Sequence, residues 1–353
     1  MRVHQITNEG IFLSSMLLSL RCKPARLFRL FATCALLLLV AGCTDQFRII
    51  TTPVFTATAN PATSARSIEV NYNGGGAGTA VEVDLQADAV LGVFNVGAGP
   101  SSVTANSNGS FIYVANQNGD SVSAISTSLA GGQPTATITL PTGSQPSFIT
   151  SGGLVNVYVA NPGNGTVSVI SQGLQALVNT VPVGANPVFI QPSNDGSKIY
   201  VLNQASGNVT VVSTSDFSTL ATLPVGASPT SAALSPGGLL FVANQASNSI
   251  SVIDTSTDTV GPPLAVGSAP SALAFDATLN RLYVVNSGSN NMSVFKADVN
   301  PPVLLKTITV GVAPIGLATL SDGTRVYVAN SGSGNVSVID TGSLTVSKTI
   351  TAG

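Results

Sequence analysis

Short apolar stretches alternate with turn residues along most of the chain. A segment of type Tyr-Val-Ala-Asn recurs six times, with asparagine spacings of 45, 42, 41, 42 and 44 residues. About seven residues after each asparagine comes an alternating strand such as Val336-Ser-Val-Ile-Asp340, followed by a further β-branched run. A fixed period of this length is typical of repeat architectures. The six segments end at Asn116, Asn161, Asn203, Asn244, Asn286 and Asn330.

Each repeat predicts four short strands separated by turn signals. In 187–226 the predicted strands are 188–191, 198–203, 208–213 and 219–225, with Asp195-Gly196 in a tight turn. Both faces of 198–203 are apolar, which favours a sheet covered on both sides over a two-layer sandwich. Each repeat closes on a glycine, and wherever the chain continues a proline follows three residues later: Gly97, Gly143, Gly184, Gly226, Gly267, Gly311 and Gly353.

A degenerate seventh copy of the repeat precedes the six clear ones. Ile68-Glu-Val-Asn71 stands for the Tyr-Val-Ala-Asn segment, Val81-Glu-Val-Asp84 for the alternating strand, and Pro53-Val-Phe55 echoes Pro187-Val-Phe189. Residues 53–353 thus give seven units of mean length 43. We predict an all-β fold, a seven-bladed β-propeller of four-stranded antiparallel blades. We further expect the aromatic residue of each Tyr-Val-Ala-Asn segment to be buried between blades.

The Tyr-Val-Ala-Asn segments, with the Ser-Val-Ile-Asp strands that follow them, resemble the YVTN family of β-propeller repeats. The resemblance spans almost all of 53–353 and implies the propeller fold, but it says little about function. The first copy departs most from the pattern.

The first 42 residues predict a targeting signal. Four basic residues between 21 and 29 precede an apolar run, Leu30–Val40, and two small residues lead to Cys43. The stretch Leu39-Val-Ala-Gly-Cys43 resembles the lipobox of bacterial lipoproteins, which implies a lipid on Cys43. A retained transmembrane helix and a cleaved, soluble product are the alternatives, and Met16 competes with Met1 as the start. We therefore divide the chain into a signal peptide at 1–42, a tether at 43–52 and a propeller at 53–353.

The composition argues against several classes of function. Charged residues are 8% of the chain, and beyond residue 42 eight basic and fourteen acidic residues give a net charge of −6. The single histidine, His4, falls in the predicted signal, so a Ser-His-Asp triad, a zinc site and the catalytic histidine of streptogramin lyases are not expected. Scattered basic residues and the lack of tryptophan argue against the DNA binding reported for some YVTN-like propellers.

The six repeat asparagines, Asn116, Asn161, Asn203, Asn244, Asn286 and Asn330, are the candidate interaction rim, since the loops after them share one side of the ring. The alternative is that each asparagine holds its own turn. The pairs Asp84/Asp88 and Asp254/Asp258 suggest calcium but lack a calcium-loop pattern, and we interpret them as solvated turns. Gly74-Gly75-Gly76 lacks the strand–helix setting of a phosphate loop and is interpreted as turn material.

These observations lead us to expect a membrane-anchored extracytoplasmic scaffold in the bacterial cell envelope, held by lipid on Cys43. Outer-membrane or periplasmic placement is favoured. The expected partners are an envelope protein or glycan, not nucleic acid, and no cofactor, metal or catalytic residue is expected. The alternative is a lactonase-type hydrolase using carboxylates and a divalent cation, for which Asp276 is the one acid near a predicted innermost strand.

Overall fold

Seven antiparallel sheets follow one another along the chain, each built from consecutive strands. The computed structural model describes residues 15–18, 49–52, 66–71, 76–84, 89–128, 131–153, 155–299 and 301–351. Within these residues the sheets are the blades of a seven-bladed β-propeller, which confirms the predicted fold class. The one helical segment described is a single 3-10 turn, Gln117–Gly119.

Each blade is a meander that runs from an innermost strand to an outermost one. The innermost strands are β6 (Pro100–Ala105), β10 (Phe148–Gly152), β14 (Pro187–Pro192), β18 (Pro229–Leu234), β23 (Pro270–Asp276) and β27 (Pro314–Thr319). The second strands are β3 (Arg66–Asn71), β7 (Phe111–Asn116), β11 (Asn156–Asn161), β15 (Lys198–Asn203), β19 (Leu239–Asn244), β24 (Arg281–Asn286) and β28 (Arg325–Asn330). The repeat asparagine is the last residue of six of these strands: β7, β11, β15, β19, β24 and β28.

The third strands are β4 (Ala77–Asp84), β8 (Ser121–Ser126), β12 (Thr166–Ser171), β16 (Asn208–Ser213), β20 (Ser249–Asp254), β25 (Asn291–Lys296) and β29 (Asn335–Asp340). The outermost strands are β5 (Ala89–Ala98), β9 (Ala136–Thr139), β13 (Ala176–Pro182), β17 (Thr219–Pro224), β21 (Thr259–Val260) with β22 (Leu264–Ala265), β26 (Val303–Thr309) and β30 (Thr345–Thr351). The outer strand of the fifth blade is broken at Gly261-Pro262-Pro263, because proline has no N–H for the ladder.

The first blade differs from the others. Three of its strands are described, β3, β4 and β5, and the predicted innermost strand at 53–55 lies outside the described residues. The free edge of β5 is covered in part by the second blade, since Asn95 N donates to Gly132 O at 2.7 Å and Gly132 N donates to Val93 O at 2.8 Å. Ahead of the blade, β1 (Ser15–Leu18) pairs antiparallel with β2 (Ile49–Thr52).

Apolar side chains from facing blades form the core. Tyr200, for example, packs with Leu202 and Val209 of its own blade and with Leu240 of the next. The repeat aromatics Tyr113, Tyr158, Tyr200, Phe241 and Tyr283 are at most 1% exposed, which confirms the prediction for these five. Tyr327 on the last blade is less completely buried than the other five.

Two faces of the ring follow from the meander. We call the link face the side formed by the loops after the second strands and by the links from each outermost strand to the next innermost strand. The turn face is the opposite side, which carries the turns between first and second strands and between third and fourth strands. Because neighbouring strands are antiparallel, these two sets of connections cannot mix.

Candidate functional site

The six repeat asparagines lie at the link-face ends of their strands, but their side chains are buried. All are at most 2% exposed. In the fourth blade, Asn203 Nδ2 donates to Asn208 Oδ1 and to Thr210 Oγ1, both at 2.8 Å. The other five make the same pair of bonds to residues five and seven positions on. Each asparagine thus holds its own turn, and its side chain is not available to a partner at the surface.

A glycine in each link lies directly on the asparagine amide of the following blade. A Cβ on Gly184 would lie 2.7 Å from Asn203 Cγ, and a Cβ on Gly226 would lie 2.7 Å from Asn244 Cγ. Gly97, Gly267 and Gly311 make the same approach to their asparagines. Real Cβ atoms do not come this close, so the glycine and the asparagine of the repeat form one packing device. Gly143 is the exception, since a Cβ there would meet nothing.

Hydrogen bonds join each link to the loop beneath it. In the fourth blade, Ala185 N donates to Ser206 Oγ at 2.7 Å, and Gln204 N donates to Asn186 O at 2.9 Å. The fifth blade repeats this with Ala227 N to Ser247 Oγ at 2.6 Å. The links and the loops after the asparagines therefore form one continuous surface, and many of their backbone groups are already paired.

The outer surface of the link face is uncharged over most of its area. Exposed residues there include Ala185, Ala205, Ala227, Ala246 and Ser268. Among the described link-face residues Asp120 is the one charged side chain, and its two oxygens accept from the backbone of Gly143 and Gln145, each at 2.7 Å. A partner that docks here meets small side chains, hydroxyls, the exposed amides of Asn118, Gln145, Asn164 and Asn248, and Val312, but no unpaired charge among the described residues.

The turn face carries most of the charge. Its ionisable residues in the fourth to seventh blades are Asp195, Lys198, Asp216, Asp254, Asp258, Asp276, Arg281, Lys296, Asp298, Asp322, Arg325 and Asp340. Hydrogen bonds from Ser193 and Ser197 lower the pKa of Asp195 to about 2. Neighbouring hydroxyl and backbone donors likewise lower the pKa of Asp216, Asp254, Asp322 and Asp340. These carboxylates cap turns and keep their charge into acid.

One ionic cluster joins the fourth and fifth blades. Lys198 Nζ lies 2.6 Å from Asp258 Oδ2, and the Tyr200 hydroxyl donates to Asp258 Oδ1 at 2.7 Å. Burial, and then the hydrogen bond to the Asp258 carboxylate, raise the pKa of Tyr200. Our interpretation of Asp254/Asp258 as solvated turns holds for Asp254, which caps Ser256, but is wrong for Asp258. Sequence spacing missed the cluster because its members are about sixty residues apart.

Carboxylates do not gather near the axis in the described part of the chain. The described innermost strands contain one acid, Asp276, which is 4% exposed and ends β23 at the turn face. Its Oδ1 accepts from Thr278 N at 2.9 Å and Leu279 N at 3.1 Å. No group of three or more potential metal ligands occurs among the described residues.

Several predicted sites fall outside the described residues. These include Cys43, Asp88, Gly74 and Gly75, while Asp84 closes β4 and Gly76 precedes it. Among the described helices none has the length and apolar character needed to cross a membrane.

Comparisons with known proteins give further evidence for the propeller fold. No protein-family model and no curated protein matches the sequence. A solved structure of hydrazine synthase from Kuenenia stuttgartiensis is 21% identical with a TM-score of 0.59, covering 74% of this chain and 89% of that one. A predicted 6-phosphogluconolactonase from Bacteroides fragilis is 14% identical with a TM-score of 0.62, covering 84% and 97%.

Virginiamycin B lyase from Staphylococcus aureus is 13% identical with a TM-score of 0.56, covering 69% of this chain and 82% of the lyase. A variant of that lyase with one histidine replaced by alanine is described as catalytically inactive. The sequence of the present chain has no histidine after His4. At these identities the likenesses show the propeller fold alone.

Proposed function

We propose that this chain is a lipid-anchored β-propeller of the bacterial cell envelope, of the YVTN repeat type, whose link face binds an uncharged polar partner. The observation that carries the proposal is the unequal distribution of charge between the two faces. Charged side chains crowd the turn face of four blades, whereas the described link face has Asp120 alone, with both carboxylate oxygens occupied. Glycan and protein backbone suit such a surface, because neither requires a charge to pair with.

The asparagine side chains of the repeat, which were the candidate contacts for a partner, are not the groups that recognise it. Their amides are buried, so the partner contacts the exposed side chains of the links and loops instead. Ser206 and Ser247 already accept a link N–H, and each hydroxyl keeps a proton to donate outward. Binding therefore depends on the shape of an uncharged surface that presents small residues, hydroxyls and the exposed amides of residues such as Gln145 and Asn164.

The anchor is proposed on sequence grounds. The lipobox-like stretch 39–43 places a cysteine directly after a short apolar run, where lipid attachment would hold the ring at a membrane. Two or more acyl chains give stable attachment, while one chain binds only marginally. Metabolic labelling with a fatty-acid analogue tests it: label on the wild type and none on Cys43→Ser supports the anchor, and an unlabelled wild type contradicts it.

The contact surface is tested with matched arginine substitutions. Ala205→Arg and Ala246→Arg add a bulky charge at exposed positions of the link face, and Ala277→Arg does the same at an exposed position of the turn face. Photo-crosslinking groups at 205 and 277 report in cells which face meets a partner. We expect crosslinks at 205, lost in Ala246→Arg and kept in Ala277→Arg. Crosslinks confined to 277 would show that the turn face is the binding surface.

The alternative is a lactonase-type hydrolase, favoured by the fold likeness to the Bacteroides fragilis protein. Such chemistry needs carboxylates that converge near the axis with a divalent cation. Asp276 is the single acid on the described innermost strands, and its Oδ1 is engaged by its own turn. Lactone hydrolysis that is lost with EDTA and in Asp276→Asn would support this alternative.

A further inference from the structure

Two lysines distinguish the outermost strands of the last two blades. Lys306 on β26 pairs with Val294, and Lys348 on β30 pairs with Val338. In the first four blades the same register position holds an uncharged residue: Gly92, Ala136, Asn179 and Ala221. The cations are therefore a property of one sector of the ring and not of the repeat.

Neither lysine has a carboxylate partner among the described residues. Lys198 pairs with Asp258, and Lys296 lies 3.7 Å from Asp298. Arg325 acts electrostatically on Asp322 and Asp340, and Arg281 Nη1 donates to Thr341 O at 2.6 Å. Lys306 and Lys348 are exposed with no such contact, so they are unneutralised positive charges on an otherwise acidic protein.

Exposed apolar side chains surround these lysines. Val303, Leu304 and Leu305 are 54%, 49% and 42% exposed, and Val346 on the neighbouring strand is 36% exposed. On β17 of the fourth blade, Leu220 has Thr219 and Ala221 as its neighbours. The sixth blade thus has three consecutive exposed apolar residues where the fourth has one.

These residues form one surface, which we call the basic edge: Val303, Leu304, Leu305, Lys306, Val346 and Lys348. The strands β26 and β30 lie side by side on the circumference of the ring. The basic edge therefore spans the outermost strands of two neighbouring blades and presents two lysines together with four exposed apolar side chains.

We infer that the basic edge docks on an anionic lipid surface and sets the ring on its side against the membrane. This inference rests on the proposed lipid anchor, which supplies the local concentration that two lysines and a few apolar side chains lack alone. Lysine near an anionic leaflet contributes about 1 kcal/mol, a factor of about five in partitioning, and two contribute a factor of about 30. Exposed valine and leucine next to such lysines enter the headgroup region.

The test compares two leucines at the same bulge position. Leu305 and Leu220 both occupy the register shift of an outermost strand and are 42% and 51% exposed. The acylated mature protein, with a fluorophore on Leu305→Cys or on Leu220→Cys, is reconstituted into vesicles of phosphatidylglycerol and phosphatidylethanolamine that contain spin-labelled lipid. We expect quenching at 305 to exceed that at 220 severalfold.

The variant Lys306→Glu/Lys348→Glu separates docking from anchoring. It should reduce quenching at 305 to the level at 220 while the protein still sediments with the vesicles. Equal quenching at 305 and 220 in the sedimented wild type overturns the inference, and the lysines then only protect the strand edges from pairing. If Cys43 carries no lipid in cells, a lipid coupled to position 43 in vitro supplies the local concentration, and equal quenching at 305 and 220 in that protein overturns the inference as well.

Discussion

The two faces of the ring are built from the same strands but closed by different chemistry. On the link face the connections are held by glycine, asparagine and serine in nearly every blade, as where Gly184 lies on Asn203 and Ser206 accepts Ala185 N. On the turn face a threonine hydroxyl recurs in four blades, as where Thr214 Oγ1 donates to Gly196 O at 2.7 Å, and charged contacts such as the Lys198–Asp258 pair are added in single blades. Repetition therefore reflects packing on both faces, and the two faces differ in where the charged side chains lie.

This difference changes how repeated residues are interpreted. Asn116 and its five equivalents attract attention as a ring of amides, yet every one is buried and committed to its own turn. The surface above them includes positions that vary, since the residue after the link glycine is Ala227, Ser268 or Val312 in successive links. The partner proposed for the link face would therefore contact the variable residues, which the repeated residues hold in place.

The largest effect is expected in the aromatic layer between the two faces. Tyr200→Ala removes a fully buried ring and should cost about 3–5 kcal/mol of unfolding free energy. Tyr327→Ala should cost clearly less, because Tyr327 is partly exposed on the last blade. Urea unfolding followed by circular dichroism measures both. An equal cost for Tyr327→Ala would show that this ring is enclosed as fully as the others.

Two glycines of the fifth blade compare the faces directly. Gly226→Ala places a Cβ 2.7 Å from Asn244 Cγ on the link face, and such overpacking costs about 1–3 kcal/mol. Gly237→Ala on the turn face meets only Ser235 Oγ at 3.9 Å, so its effect should stay within about 0.5 kcal/mol. Urea midpoints decide the comparison, and a neutral Gly226→Ala would show that the link is free to move off the asparagine.

The sequence predicted the repeat-encoded part of the molecule well. The strands predicted at 198–203 and 208–213 are β15 and β16 to the residue, because apolar alternation and turn residues define both ends. The sequence also supports the interpretation that each asparagine holds its own turn, since a side chain that recurs in every turn serves the turn, but it does not predict that these side chains are buried. Contacts between blades were not predictable: the Lys198–Tyr200–Asp258 cluster and the exposure of Tyr327 depend on which blade lies next to which. The charge difference between the faces was present in the sequence, but it becomes evident only once each loop is assigned to a side.

Removing the shared carboxylate of the cluster should cost less than removing a ring. Asp258→Ala leaves Lys198 Nζ and the Tyr200 hydroxyl with the Thr255 carbonyl as acceptor, at 3.3 and 3.2 Å, and losing hydrogen bonds to a charged group costs about 1.5–3 kcal/mol. Asp254→Ala, which loses only a cap to Ser256, is the matched control with a smaller cost. A double-mutant cycle with Lys198→Met should give a coupling of about 0.5–3 kcal/mol. No coupling would mean that the pair is fully solvated in solution.

The smallest effect is a difference in acid sensitivity that belongs to the turn face. The folded pKa of Asp195 is about 2, below the value of about 3.9 in an unfolded chain, so its stabilisation is complete above pH 4 and is lost as pH falls toward 2. The pKa values of Asp216, Asp254, Asp322 and Asp340 are lowered as well.

Because no histidine follows His4, the unfolding free energy should be nearly level from about pH 5 to pH 8 and fall below pH 4. Asp195→Asn keeps an acceptor for the Ser197 N–H but cannot titrate. The loss of unfolding free energy in acid should therefore be smaller in this variant than in the wild type. The difference should be less than about 1 kcal/mol, because the Asp195 carboxylate is exposed and screened by solvent. Urea midpoints of both proteins across this range test it, and identical slopes in acid would show that the Asp195 cap adds no pH dependence.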